Sequence, residues 1–462
     1  MTSLDAKIAT LLPSLLLSVQ ESVRIPSIAG APAPRAPFGT DVRRALDHAL
    51  KTASLLGLET GETDGYVGWA EYGEGEEMIA VLGHLDVVPA GEGWSRPPFG
   101  AEIDGNRMYG RGALDDKGPS IGALWLLHAI KTLGIPLKRR IRVLFGTNEE
   151  SGMKDLPYYL EHNGEVPVMG FTPDGEFPVV SSEKGQLHLK FEGSLAGEGK
   201  NRLLSLSGGS APNVVPSEAT AVIDCSDECE TALEKIETAL NTMSEKVEFH
   251  REDNALFVKT FGIAAHGSTP ELGRNAVVGL LSFLNAVFDD PWARTLGALA
   301  RSFEDDTKGG KIGIAMEDKQ SGALTCNLGQ CTCDGKTISI VLDIRFPVSF
   351  AANAILDPLR SFAERSNLEL SVLRRKAPLW VPEDSALVKT LQRVYREKTG
   401  EEPRLLSMGG GTYAKALPNI VAFGPKFPCS PEVAHKADEH IDIREFLHVL
   451  RIMGAAMVEL AS

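Results

Sequence analysis

His84 and Asp86 stand just past the apolar run Met78–Leu82, Glu149 and Glu150 just past Ile141–Phe145, and Asp174 just past Val168–Phe171. Three apolar, strand-like runs that each end in imidazole or carboxylate groups describe the carboxyl edge of a parallel sheet, where α/β proteins gather ligands. His84 and Asp86 are two apart and point to the same side of an extended strand, so one can bind a cation while the other orients it. Glu149 and Glu150 are adjacent and point opposite ways, so one can ligate while its neighbour handles a proton. Two divalent cations about 3.5–4 Å apart and sharing one carboxylate make a hydrolytic centre. Donors from His, Asp and Glu without Cys suit Zn²⁺ or Mn²⁺, with Co²⁺ a third choice. Each piece alone has a plainer reading: a hydrogen-bonded core histidine, a solvated strand end, a helix capped by Asp115 or Asp116. Three such strand ends in one chain favour the metal centre.

The elements that must position these groups follow in order. The first 60 residues read as an amphipathic helix, a Pro/Ala/Gly-rich loop over 30–38 and a second helix over 41–56. Strands are expected at 66–72, 78–85, 141–146 and 168–171, with a helix opening at Asp115-Asp116-Lys117-Gly118-Pro119 and running to Leu133. From 187 the pattern changes to alternating runs such as LHLKFEG, ATAVIDC, ALFVKTFG and TISIVLDIR, which predict an antiparallel sheet with helices on one face. Helix returns over 384–400, then come the glycine run 409–411, a strand at 420–423, His435 and a helix capped by Asp442. The fold class is therefore α/β. A domain with a mostly parallel central sheet flanked by helices (1–186 and 384–462) is interrupted by an α+β domain with an antiparallel sheet (187–383).

Composition sets the outer limits. The chain has 462 residues, 43% of them hydrophobic and 24% charged, which describes a folded globular protein of more than one domain. Its net charge of −15, from 62 acids against 47 Lys and Arg, argues against nucleic acid or an anionic membrane as partner. The N-terminus has no basic region followed by an apolar core and cleavage site, and no run reaches the length of a membrane span. Six cysteines without a CxxC pair point to reduced thiols and a cytoplasmic location. The cluster Cys326, Cys331, Cys333 reads as buried strand thiols in preference to a sulfur-ligated metal.

The strings GHLDVVPAGEGW, YGRGALDDKGPS, GTNEESG, TPDGEFP and GGGTYAKALPNIVAFGP, followed by His435, resemble the dinuclear metallopeptidases of the aminoacylase/carboxypeptidase G/carnosinase family, above all its bacterial Xaa-His and Mn²⁺-dependent dipeptidase branch. The resemblance spans nearly the whole chain and is most specific outside the middle segment. It implies two divalent ions, one on His84 and Asp174, the other on Glu150 and His435, with Asp115 bridging. It further implies Glu149 as general base and Asp86 as the partner that fixes the His84 tautomer. In the inserted domain, AHGSTPE carries His266 at the place of an oxyanion-stabilising histidine. APNVVP and VLDIRFP carry Asn213 and Arg345 at places that clasp a free substrate carboxylate, with a backbone N–H from Gly410. The segment His435-Lys436-Ala437-Asp438-Glu439-His440 departs from the family's usual His-x-x-Asn-Glu, so two histidines compete for one role; His435 aligns with the ligand. The implied activity is hydrolysis of unblocked dipeptides, with N-acyl-amino-acid amide hydrolysis as the alternative. The inserted domain is implied to be a lid supplied within one chain, so a monomer is expected, with a homodimer as the other arrangement.

Overall fold

Met78–His84 holds no polar side chain before its last residue, and every residue of it is buried. A computed structural model, which describes residues 3–195, 197, 199–225, 229–241 and 246–462, places this run at the centre of a twisted sheet. The order is Glu59–Thr63, Val67–Tyr72, Arg140–Gly146, Met78–His84, Met169–Thr172, Ile420–Ala422, Val179–Glu183. The four strands from Arg140–Gly146 to Ile420–Ala422 are parallel. The flanking pairs are antiparallel, so the sheet is mixed where a mostly parallel one was expected. Only the central strands are buried on both faces, and those are the ones whose sequences are apolar without alternation.

The chain divides into two compact units. The first comprises residues 1–182, 380–406 and 411–462; the second comprises 183–379 and 407–410. In the first unit the helices Ser3–Val23, Lys117–Leu133 and Ile443–Ala461 pack on one another and contribute Ile8, Leu124, Leu127, Leu450 and Met453 to the core. Each such side chain contributes roughly 1.5–3 kcal/mol by burial. Two glycines set how closely the elements approach. A Cβ on Gly83 would lie 1.9 Å from Ser120 Oγ, and one on Gly146 would lie 2.0 Å from the Tyr413 hydroxyl. Both precede site residues, so the close approach of helix and loop to the strand ends depends on the missing side chains.

The second unit is an antiparallel sheet in the order Lys246–Glu252, Ala255–Phe261, Glu218–Asp224, Arg202–Gly208, Thr325–Cys333, Thr337–Phe346, Gly185–Ser194, Glu369–Lys376. Ala255–Phe261 alternates buried and half-buried residues along its length, the period-2 pattern of a sheet covered on one face. The helices Ala276–Val287, Pro291–Phe303 and Asn353–Arg365 bring Leu280, Leu284, Leu296 and Phe362 into its core. The thiols of Cys326, Cys331, Cys333 and Cys429 are free. No helix among the described residues is long and apolar enough to cross a membrane.

Candidate active site

His84 is the last residue of its strand, and its Nε2 lies 3.1 Å from Asp115 Oδ1 and 3.9 Å from Asp174 Oδ2. His435 Nε2 lies 2.9 Å from Asp115 Oδ2 and 3.0 Å from Glu150 Oε1. The first unit therefore gathers two donor groups, His84/Asp115/Asp174 and Asp115/Glu150/His435, whose ligand atoms lie within 4.8 Å of one another. Asp115 belongs to both and presents a different oxygen to each imidazole. None of these groups contains cysteine, so the cluster at 326–333 contributes no metal-holding group among the described residues.

The electrostatics of the cluster call for positive charge. Among the described residues no Lys or Arg pairs with Asp115, Glu149, Glu150 or Asp174. Burial would lower the pKa of His84, but its partners Asp115 and Asp86 raise it well above the ordinary value. Hydrogen bonds to Asp115 and Glu150 push His435 up to about 11. Burial and the Asp115 charge raise Glu150, and the same two causes raise Asp174 well above the carboxylate range. Nitrogen and oxygen ligands about 2.0–2.2 Å from one tetrahedral ion lie roughly 3.3–3.6 Å from each other. The separations of 2.9, 3.0 and 3.1 Å are shorter than that, the lengths of direct hydrogen bonds between the groups, and 3.9 Å at Asp174 is longer. The donor types and their clustering fit divalent cations.

The carboxylates behind the cluster act on backbone. Asp86, expected to hydrogen-bond His84 and fix its tautomer, meets His84 Nδ1 with its carbonyl oxygen at 2.9 Å and with a carboxylate oxygen at 3.6 Å. Asp86 Oδ1 and Oδ2 accept the N–H groups of Glu149 and Glu150, each at 3.1 Å. Asp155 Oδ2 accepts the preceding two, from Thr147 at 2.7 Å and Asn148 at 3.0 Å, and also the Tyr413 hydroxyl. Four successive N–H groups, 147 to 150, thus end on two buried carboxylates. This also corrects the expected geometry of Glu149 and Glu150. The strand stops at Gly146, and the pair sits in a turn, so their divergence comes from the clamped turn and not from strand alternation. Glu150 joins the donor group, while the Glu149 carboxylate has neither ion pair nor hydrogen bond among the described residues.

Asp116 supplies no side-chain cap to its helix; its Oδ2 accepts the His84 N–H at 3.1 Å and the Ser120 hydroxyl at 2.9 Å. Glu439 Oε1 accepts the N–H of Leu114 and of Asp115 at 3.0 and 3.2 Å, and its Oε2 pairs with buried Arg111 at 2.6 Å. Arg111 in turn donates to Ala90 and covers the Trp94 ring. His435 has φ 60, a left-handed conformation that a non-glycine residue adopts only when its surroundings hold it there. His440 lies in the strand His440–Asp442 beside Tyr109 and stays outside both donor groups. Asp116, Asp155, Tyr413, Arg111 and Glu439 were not foreseen, since no spacing rule links them to the ligands.

The residues expected to grip substrate fall together in the second unit. Val214 bridges His266, Gly267 N–H donates to Asn213 carbonyl oxygen at 2.7 Å, and a Cβ on Gly267 would lie 2.6 Å from Asp343 Oδ2. Arg345 pairs with Asp343 at 2.8 Å, and its Nη1 donates to Gly409 carbonyl oxygen, next to Gly410, at 2.8 Å. Gln186, its amide turned so that the oxygen faces the guanidinium, accepts from Arg345 Nη2 at 2.9 Å. The Arg345 donors are therefore committed within the unit. The Asn213 amide has no protein partner among the described residues. Ser268 N–H approaches His266 Nδ1 at 3.3 Å and its hydroxyl lies 2.6 Å away, so Nδ1 accepts and the imidazole proton sits on Nε2.

Asp155 carries a pH prediction. Burial pushes its carboxyl up to about 6, against the pull of the Tyr413 hydroxyl. The folded protein then holds that proton more tightly than the unfolded chain. Its stabilising contribution is complete below the ordinary value of 3.8 and is lost as pH rises through about 6. Relative to wild type, Asp155→Asn is expected to be more destabilised near pH 4 than near pH 7, by on the order of 1–3 kcal/mol. Parallel unfolding profiles of the two proteins across that range would refute it.

Residues 80–459 match the model of Peptidase family M20/M25/M40. The chain is 38% identical over 455 residues to "Putative dipeptidase YtjP" of Bacillus subtilis (strain 168), covering 97% of each. It is 31% identical over 451 residues to the like-named SSP1012 of Staphylococcus saprophyticus subsp. saprophyticus, covering 96% of this chain and 95% of that one. Human carnosine dipeptidase 1 shares the fold, with TM-score 0.62 at 15% identity over 99% of this chain and 98% of that one. The aminoacylhistidine dipeptidase of Vibrio alginolyticus does so with TM-score 0.56 at 15% identity and 97% coverage of each. A family match over most of the chain and a full-length relative at 38% identity lead to one conclusion: this protein is a hydrolytic enzyme of peptidase family M20/M25/M40.

Proposed function

We propose that the protein is a metal-dependent dipeptidase acting on unblocked dipeptides. The observation that carries this reading is the pair of donor groups sharing Asp115, in a chain whose full-length relatives bear dipeptidase names. His84 and Asp174 would hold one divalent ion, Glu150 and His435 the other, and Asp115 both. Bound there, the cations would supply Lewis acidity, polarising the scissile carbonyl and making water nucleophilic near neutral pH.

The chain's own groups do the rest. Glu149, anchored at its N–H by Asp86 and free at its carboxylate, takes the proton of the attacking water and returns it to the leaving amine. Asp86 and Asp155 hold the turn that aims Glu149 and Glu150. From the second unit, to which we assign the role of lid, His266 donates Nε2–H to the oxygen that becomes negative in the transition state. A single donor of that kind is worth roughly 10²–10³ in rate. Asn213, Arg345 and the Gly410 N–H are assigned to the substrate's free carboxylate. A carboxylate reaches Arg345 by displacing Gln186 or the Gly409 carbonyl from it. Free thiols at Cys326, Cys331, Cys333 and Cys429 accord with a reducing, cytoplasmic setting.

Protein stripped of metal and refilled with Zn²⁺, Mn²⁺ or Co²⁺ is expected to regain cleavage of Ala-Ala with at least one ion and to leave N-acetylalanine intact. Cleavage of N-acetylalanine with none of Ala-Ala would replace the dipeptidase reading by amide hydrolysis of acylated amino acids. No turnover of either with any ion would end the assignment.

A further inference from the structure

The carbonyl oxygens of Pro212 and Val214 stand on either side of Asn213, and both end on one side chain. Asn327 Nδ2 donates to Pro212 at 2.9 Å and to Val214 at 3.1 Å. Of the two ends of that amide only the NH2 can face a pair of carbonyl oxygens, so its orientation is set by these neighbours. The segment is a tight turn, closed by Val214 N–H on Ala211 carbonyl oxygen, with Pro212 and Asn213 at its corners. The carbonyl between the two, that of Asn213 itself, accepts Gly267 N–H at 2.7 Å. Three successive carbonyls are thus held, and the Asn213 side chain is the group the turn leaves uncommitted.

Asn327 lies in the strand Thr325–Cys333, where it pairs in register with Asp343 of Thr337–Phe346. Directly paired residues of antiparallel strands share a face, as do residues two apart on one strand. Asn327, Asp343 and Arg345 therefore occupy one face of the sheet, and Asp343 is the partner of Arg345 at 2.8 Å. Gly329 lets the strand come close to the turn, since a Cβ there would lie 2.1 Å from Pro212 carbonyl oxygen. At 2% exposure Asn327 is closed to substrate and can act only through the turn it holds. The usual substitutes fall short. Aspartate cannot donate, serine has one proton on a shorter stem, and leucine leaves both carbonyls unpaired.

We propose that Asn327 is a positioning residue that sets Asn213 for the terminal carboxylate of the substrate. The proposal rests on the dipeptidase reading and on the assignment of Asn213 to that carboxylate. A hydrogen bond from an amide to a charged group corresponds to about tenfold or more in binding. A turn that drifts by about 1 Å loses most of that.

The test measures kcat and KM of the metal-loaded full chain on Ala-Ala. The variants are Asn327→Ser, Asn327→Asp, Asn213→Ala and Asn213→Ala combined with Asn327→Ser. Asn327→Ser is expected to raise KM about tenfold with a smaller change in kcat and unchanged metal content, as Asn213→Ala does. Asn327→Asp should raise KM further. In the combined variant the loss in kcat/KM should fall well short of the product of the single losses, because both act through one amide. Wild-type KM in Asn327→Ser and Asn327→Asp overturns the proposal. The full product of losses in the combined variant overturns it too, since Asn327 would then act independently of Asn213. Failure of both Asn327 variants to fold also overturns it and makes Asn327 a residue of the unit's stability alone. These three outcomes leave the dipeptidase reading standing. If the wild-type chain cleaves no dipeptide, that reading falls and this inference falls with it.

Discussion

Glu149→Gln is expected to lower kcat by roughly 10²–10⁴ while leaving bound metal and folding unchanged. The backbone of Glu149 is pinned by Asp86, yet its carboxylate has no partner among the described residues, so the side chain is positioned but its proton-accepting oxygens are unspent. Burial raises its pKa well above the ordinary carboxyl value, and Glu150, Asp86 and Asp115 add to this against the pull of His84. Glutamine keeps the shape and removes the base. Glu150→Gln makes the contrast, since Glu150 belongs to a donor group and its loss should deplete metal first. Turnover of Ala-Ala read beside metal content by atomic absorption separates the two variants. A Glu149→Gln protein with wild-type kcat would remove Glu149 from the chemistry.

Glu439→Ala is expected to cost about 3–5 kcal/mol of stability and to weaken metal binding about 10–100-fold. Glu439 and Arg111 are both fully buried, at 0% and 1% exposure, and they are ion-paired. Removing the acid strands a buried guanidinium whose remaining bonds run to the carbonyls of Pro89 and Ala90. It also frees the N–H groups of Leu114 and Asp115, so the shared carboxylate loses the anchor of its own backbone. Glu439→Gln keeps an acceptor for those N–H groups and should lose less of both. Calorimetric melting and metal titration of the two variants read the effects. A Glu439→Ala protein with wild-type metal affinity would mean that the Asp115 loop holds its place without Glu439.

Much of the candidate site was legible before any fold was known. His84, Asp115, Glu150, Asp174 and His435 were named from strand ends and motifs, and the structure gathers the five into two groups around Asp115. The helix opening at Lys117 and the Asp442 cap of the last helix were legible too, because caps and apolar periodicity are written in neighbouring residues. Strand direction at the sheet edges was not, since pairing depends on which strands meet. Asp86 shows the limit most clearly. Its two-residue spacing from His84 suggested contact between the side chains, which lie 3.6 Å apart, but nothing local announced that the fold brings the Glu149 turn, 63 positions away, onto the same carboxylate.

The sequence alone determined the kinds of donor and the apolar runs that carry them to one edge, because side-chain chemistry and burial patterning are local properties. Only the tertiary structure decided what steadies those donors: Asp155 and Tyr413 under one turn, and Glu439, 325 positions from Leu114, behind the shared aspartate. A buried carboxylate spends its charge on whichever N–H groups the chain's long-range packing sets before it, and no local pattern records that choice.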